Sequence, residues 1–226
     1  MREMLSSPAR RIRLLRWRKV DLVIDVGANE GQYGTRLRQA GFAGRIVSFE
    51  PGSDAYSELR RRAAHDEAWT CHHVALGDRD GRATLNVALD TEGSSLLQVE
   101  PREVRNSPGS RFVGSEPVRL ARLDSIWPEL RLRQESLYLK LDTQGSELLI
   151  LRGASRALLD AEFVEAELSL GKLYEGGALF DEVISFLDDR GFALVSLEGI
   201  DEEPETGQML QVDAIFMRRH NGDSVP

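Results

Sequence analysis

The stretch Leu22-Val23-Ile24-Asp25-Val26-Gly27-Ala28-Asn29-Glu30-Gly31 constrains the fold of this chain more than any other. An apolar run carries an acid, breaks at a loop with two glycines, and gives way to a helix-like pattern. Glycine accepts the positive φ and close main-chain approach that a strand–turn–helix crossing needs, and such a crossing lets a nucleotide-like ligand touch backbone. Nineteen residues after Gly31 a second apolar run, Arg45-Ile46-Val47-Ser48-Phe49, ends in Glu50. An acid at the tip of the second parallel strand accepts hydrogen bonds from both hydroxyls of a ribose. Together these features predict an α/β sheet with an adenosine-containing ligand at its carboxyl edge.

The glycine spacing narrows the ligand. Dinucleotide folds use G-x-G-x-x-G to bring main chain against a pyrophosphate, and a P-loop ends in a Lys-Ser/Thr pair. This chain has G-x-x-x-G, no such pair, and Asp25 two residues ahead of the first glycine. A carboxylate there repels a pyrophosphate and suits a cation; S-adenosylmethionine carries a sulfonium and an ammonium group. An ordinary tight turn is the alternative, against which the spacing to Glu50 argues. On the cofactor reading, the main chain of Gly27, Ala28, Asn29 and Gly31, with the helix N-terminus behind it, holds the methionine carboxylate. Asp25 takes the ammonium, directly or through water, and Glu50 takes the ribose.

Apolar β-rich runs alternate with helical patterns, the mark of a parallel sheet covered by helices on both faces. Strands are expected at about 20–26, 45–50, 69–75, 137–141 and 163–168. Helices are expected from Gly31, from Ser53 or Asp54, and over about 178–190, stopping at Gly191. Segments 192–198 and 210–217, joined by a turn-rich acidic loop, suit an antiparallel final pair. About sixty residues separate the third and fourth strands, too many for one crossover. Within them Asp80-Gly81 is a turn signal, Ala83–Ala88 alternates like a strand, and Pro117–Arg122 can pair with it. The polar stretch from Gln98 to Ser110 reads as a mobile segment near the ligand or as a plain surface loop.

Taken in order, several segments resemble the FkbM-type family of S-adenosylmethionine-dependent methyltransferases. They are Asp25-Val26-Gly27-Ala28-Asn29-Glu30-Gly31-Gln32-Tyr33, Phe49-Glu50-Pro51, Ala75-Leu76-Gly77, Ser94-Ser95-Leu96, Lys140-Leu141-Asp142-Thr143-Gln144-Gly145-Ser146-Glu147 and Leu151-Arg152-Gly153-Ala154. The resemblance runs from about residue 20 to about residue 217, and its most family-specific part is the Lys140–Glu147 block. It implies an α/β, Rossmann-like class I methyltransferase fold. That fold has a mostly parallel seven-stranded sheet with an antiparallel last strand, helices on both faces and a small β insertion between strands three and four. It also implies that Tyr33 and Pro51 join the cofactor wall, that Ala75 and Leu76 lie against the adenine, and that Ser94 touches cofactor or acceptor. The implied reaction is O-methylation of a hydroxyl on a sugar, glycolipid or polyketide-like natural product. A non-catalytic cofactor-binding module and a nicotinamide-dependent oxidoreductase are the rivals, the latter weakened by the missing G-x-G spacing.

Methyl transfer from a sulfonium is an in-line displacement that aligns donor with acceptor, excludes water and takes a proton from the hydroxyl. Open parallel sheets bind ligands beyond the carboxyl ends of their strands, which puts Asp142 on the same rim as Asp25 and Glu50. Asp142 is therefore the candidate base and a further cofactor contact. Glu147 and Glu167 are further candidate catalytic carboxylates; Glu147 also reads as a first-turn acid complementing a helix dipole. Asp142 and Glu167 are candidate ligands for a Mg²⁺ shared with the acceptor oxygen, since hard cations take carboxylate oxygens. No tight ligand motif backs that metal, and no metal residue is assigned. No His/Cys set has zinc spacing, and Ser94-Ser95 lacks the G-x-S-x-G context of a nucleophile. His72 and His73 read as strand-end residues or as adenine or substrate contacts. Leu173-Tyr174-Glu175-Gly176-Gly177 reads as a lid over the acceptor or as a simple loop.

Charge bears on the partners. Net charge is −8, yet the first twenty residues hold seven basic side chains against Glu3, a balance of +6 that leaves −14 on residues 21–226. An acidic body argues against nucleic acid, whose phosphates need a basic face. A small-molecule or glycan acceptor is expected instead, with a homodimer left open. No apolar run approaches the roughly 18 residues of a membrane span, and the basic N-terminus lacks the apolar stretch of a secretory signal. A single cysteine, Cys71, excludes an intrachain disulfide and suits a reducing, cytoplasmic setting. The expected organisation is a basic helical leader over 1–19, one methyltransferase domain over 20–219 and a disordered tail over 220–226. The leader would pack Ile12, Leu15 and Trp17 on the domain, or meet an acidic partner or membrane surface.

Overall fold

The computed structural model describes residues 7–132 and 135–220. The first six residues of the expected leader, and all of the expected tail except His220, lie outside the described residues. Along the chain run α1 (Ser7–Trp17), β1 (Leu22–Val26), α2 (Gln32–Gln39), β2 (Arg45–Phe49), α3 (Ser53–Ala63), β3 (Trp69–His72), β4 (Ala75–Leu76) and β5 (Gly81–Ala88). There follow α4 (Pro101–Asn106), β6 (Phe112–Ala121), α5 (Leu123–Leu130), β7 (Leu137–Leu141), α6 (Glu147–Arg152), α7 (Ala157–Asp160), β8 (Ala161–Ser169), α8 (Phe180–Asp188), β9 (Phe192–Glu202) and β10 (Met209–Arg218).

Seven strands form one sheet in the order β3-β2-β1-β7-β8-β10-β9. The first five pair in parallel, and β10 runs antiparallel to both β8 and β9. This is the expected mostly parallel sheet with an antiparallel last strand. The insertion is a second sheet, β4-β6-β5, in which β5 and β6 pair antiparallel with Ala83 opposite Val118. The third strand ends sooner than expected. After His72 the chain leaves the large sheet, and Ala75-Leu76 pairs with Leu120-Ala121. Local burial explains the switch, since Ala75 packs with Leu85, Val118 and Leu120 in a separate apolar cluster.

The stretch 98–110, expected to be mobile or loop, contains α4, with Pro101 in the first turn, where its missing N–H costs nothing. It is tied down by Glu100 N–H to the Leu173 carbonyl and Glu175 N–H to the Gln98 carbonyl, both 2.8 Å. Its polarity concealed this because those partners lie far along the chain.

Side chains alternate across a strand, so each central strand serves two faces. Leu22, Ile24, Leu137 and Leu139 belong to an apolar layer with α5, α6, α7 and α8. Val23, Ile46, Tyr138 and Phe163 pack against α1, α2 and α3. On this second face one register row is polar: Ser48, Asp25, Lys140 and Glu165 follow one another across β2, β1, β7 and β8. α1 seats Ile12 and Leu15 on the domain, but Trp17 is 58% exposed. Two residues past Leu15 a helix has turned by about 200°, which carries Trp17 to the far side.

Candidate active site

At the carboxyl edge of the sheet lies a cavity of about 470 Å³, a size suited to a nucleoside-like ligand. Gly27, Ala28, Asn29 and Tyr33 line one side, with Glu50 and Pro51 beyond them and Ala75, Leu76 and Ser94 opposite. Gly27 has φ 72°, and a Cβ there would stand 1.8 Å from the Asp142 carbonyl oxygen, so only glycine fits between β1 and β7. Gly31 has φ 91° and backs onto Leu59 and Trp69. The loop N–H groups are largely committed within the protein. Gly27 and Ala28 donate to the Phe49 carbonyl, Gly31 to Ala28, and Asn29 to Glu50. The loop therefore supplies shape to the cavity wall more than free N–H groups.

Glu50 lines the cavity and is fixed by main chain. Asn29 N–H donates to Oε2 and Gly52 N–H to Oε1, each at 2.8 Å, which fixes the carboxylate and leaves lone pairs toward the cavity. Burial pushes its pKa up to about 7, partly offset by these two N–H groups. Two buried polar atoms on the cavity wall, Asn29 Nδ2 and Ser146 Oγ, have no hydrogen-bond partner in the protein. Buried donors are rarely left unmade, so these atoms fit a site built for a polar ligand.

Asp25, expected to take the ammonium, sits elsewhere. It is fully buried and off the cavity wall, with Oδ1 3.1 Å from Lys140 Nζ and Oδ2 accepting from Ser48 Oγ at 3.4 Å. Asp25 does not line the cavity, whereas its register neighbour Lys140 does and stands against it. Lys140 stands between Asp25 and Asp142 Oδ2, 3.4 Å away, and reaches the Gly27 carbonyl at 3.4 Å. Burial opposes its charge, but the two aspartates outweigh burial and keep it protonated.

Beyond β7 the wall is made of side chains. Asp142 faces the cavity, and Gln144 Nε2 donates to Asp142 Oδ1 at 3.2 Å and to Glu167 Oε2 at 2.8 Å. Gln211 Nε2 donates to the same Glu167 oxygen at 2.9 Å. Glu167, half-buried on the cavity wall, is held well above the usual carboxylate range by burial, then by Asp142, Glu147 and Asp213. Gln144 adopts φ 55°, a strained value for a non-glycine residue that clusters at functional sites. Ser95 Oγ holds its carbonyl at 2.7 Å, and the Tyr174 hydroxyl donates to its Oε1 at 2.6 Å.

Glu147 opens α6 but faces its own loop. Its Oε1 accepts from Thr143 N, Thr143 Oγ1 and Gly145 N, and it does not line the cavity. Tyr174 is a buried strut behind Gln144 and not a lid. His72 stacks on Phe49, and His73 stacks on Tyr56 with Nε2 2.9 Å from the Pro51 carbonyl. Neither histidine lines the cavity. The pair weighed for Mg²⁺ has the Gln144 amide between its members. Among the described residues no group of three or more His, Cys, Asp or Glu is placed to hold a metal ion.

Sequence reasoning missed Lys140, Gln144 and Gln211 as site residues. A signal existed for Lys140: a lysine inside the otherwise apolar strand Leu137–Leu141 must find a buried partner.

Residues 25–194 match the Methyltransferase FkbM domain. The chain belongs to that methyltransferase family. Among curated relatives, the 2-O-methyltransferase NoeI of Sinorhizobium fredii is 26% identical over 161 residues, which cover 69% of this chain and 66% of that protein. A ribosomal RNA methylase from Streptococcus thermophilus superposes with a TM-score of 0.52 at 12% identity, covering 96% of this chain and 99% of that one. The methyltransferase domain of bacterial CtHen1-C gives 0.50 at 9% identity, covering 94% and 97%. At such identities these structures share the fold, the Rossmann-like class I methyltransferase sheet seen in this FkbM-type domain. No helix among the described residues is long and apolar enough to cross a membrane.

Proposed function

We propose that this FkbM-type domain uses S-adenosylmethionine to methylate a hydroxyl on a small polyhydroxylated acceptor, such as a sugar, a glycolipid or a polyketide-like product. The observation that carries this reading is the joining, in one cavity, of a prearranged ribose carboxylate, Glu50, with the carboxylate pair Asp142 and Glu167. The relative's name, 2-O-methyltransferase, supports an oxygen acceptor. The charge of −14 on residues 21–226 favours a small molecule or glycan over a nucleic acid, although the solved structures of like fold include RNA methylases.

S-adenosylmethionine supplies an electrophilic methyl group on sulfur. Glu50 orients the ribose, Asn29 and Ser146 offer free polar atoms, and Ala75 and Leu76 give an apolar surface to the adenine. The α2 N-terminus receives the carboxylate. Asp142 would accept the acceptor's hydroxyl proton late, as the C–O bond forms and the methyl–sulfur bond breaks to leave S-adenosylhomocysteine. Glu147 positions Asp142 by closing the 143–147 loop, and Glu167 with Gln144 sets the carboxylate's direction.

Calorimetric titration with S-adenosylmethionine and S-adenosylhomocysteine, followed by transfer of a labelled methyl group to a panel of sugars and hydroxylated natural products, tests the reading. Binding of both compounds and labelling of at least one hydroxyl compound are expected. Folded protein that binds neither compound rejects the cofactor assignment; binding without transfer to any acceptor favours a cofactor-binding module instead.

A further inference from the structure

The family match begins at Asp25, so α1 lies outside it, yet α1 touches Glu165, which bonds the cavity-lining Tyr33. Arg11 Nε donates to Glu165 Oε2 at 2.8 Å, and its Nη2 bonds the other carboxylate oxygen. Glu165 is 3% exposed and also accepts from the Tyr33 and Tyr138 hydroxyls at 2.8 and 2.7 Å. Tyr33 lines the cavity, and both the Arg11 guanidinium and the Lys140 ammonium lie 5.1 Å from its ring centre. Lys140 in turn pairs with Asp25 and reaches the Gly27 carbonyl. Charge therefore alternates from Asp25 through Lys140 and Glu165 to Arg11, and only the last comes from outside the sheet. Removing one partner of a buried ion pair leaves an uncompensated charge. Without Arg11, Glu165 competes with Asp25 for Lys140, directly beneath the glycine loop.

We propose that Arg11 is a positioning residue of the cofactor cavity, and that docking of α1 and binding of the cofactor are coupled through Tyr33 and Lys140. The inference rests on the cofactor reading above and makes a helix outside the matched domain part of the site. Coupling between two binding events is reciprocal, so what α1 adds to cofactor affinity the cofactor returns as protection of α1.

The test is amide hydrogen exchange of the wild-type chain with and without S-adenosylhomocysteine, together with calorimetry of Arg11→Met. Saturation is expected to slow exchange in α1 several-fold, and Arg11→Met to weaken S-adenosylhomocysteine about tenfold, within the usual range of such couplings. Tyr33→Phe, which keeps the ring and removes the hydroxyl, shifts affinity in the same direction by less. A purely structural role for Arg11 lowers stability without making α1 respond to ligand. Should Arg11→Met fail to fold, the wild-type exchange measurement decides alone. Unchanged α1 exchange in saturated protein overturns the coupling, whereas failure of the wild type to bind S-adenosylhomocysteine rejects the cofactor reading itself.

Discussion

The β1–β2 end of the cavity is built mainly from main chain, and the β7–β8 end from side chains. At the first end two glycines, the Phe49 carbonyl and two N–H groups on Glu50 settle the geometry within some twenty-five residues of sequence. At the second, Asp142 depends on Gln144, which depends on Tyr174 and Ser95, while Glu167 depends on Gln211. A main-chain site tolerates few substitutions and binds what every member of a fold class shares. A side-chain site can be rebuilt one residue at a time, which suits the half proposed to meet the acceptor.

The difference can be broken at its stiffest point. Gly27→Val places a branched side chain where a Cβ already stands 1.8 Å from the Asp142 carbonyl, in a backbone region closed to valine. Binding of S-adenosylhomocysteine is expected to fall below detection by calorimetry, with thermal melting reporting what remains of the fold. Affinity near that of the wild type would show that the loop yields and that shape is not its contribution.

Asp142→Asn sharpens the contrast from the other side. Turnover is expected to drop about 10²–10⁴-fold, the usual worth of a general base, while affinity for S-adenosylhomocysteine stays close to wild type. Labelled methyl transfer and calorimetry on the same preparation separate the two effects; equal losses in both would place Asp142 in the cofactor half.

Glu50 gives a smaller, pH-dependent effect. Its pKa is raised from 4.5 to about 7, so the native state holds the proton more tightly than the unfolded chain. Its stabilising share is full below pH 4.5 and is lost as pH rises through about 7. Cofactor binding should run the opposite way, because the ribose hydroxyls donate to the ionised form. Affinity should weaken by up to about tenfold per pH unit below 7, and Glu50→Gln should flatten that dependence. A slope that persists in the variant would assign it to another group.

Tyr174→Phe is the gentlest test. It removes one hydrogen bond to Gln144 Oε1, worth about 1 kcal/mol. A several-fold loss of turnover with unaltered S-adenosylhomocysteine affinity is expected, and any change in that affinity would mean the two halves are not independent.

The strand–turn–helix at residues 22–39, the acid after β2 and the antiparallel end of the sheet were legible because each is announced by neighbours in sequence: apolar runs, glycines at a crossing and a turn-rich loop. The split of the third strand was not, since Ala75 and Leu76 follow Leu85 and Leu120 in space and not in order. Asp25 shows the limit most clearly. Its place two residues before Gly27 was plain, but its side of the strand, and the lysine waiting there, depended on how β7 lies beside β1.

By itself, then, the sequence determined the kind of sheet, the crossing where the cofactor is proposed to bind and the place of the carboxylate proposed for its ribose, because short-range sterics and alternation govern all three. Tertiary structure alone decided which carboxylates face the cavity, that Gln144 spans two of them, and that Arg11 closes a buried row of charge from a helix far away in sequence. Those outcomes turn on register and burial, where a shift of one residue exchanges a ligand-facing side chain for a core-facing one.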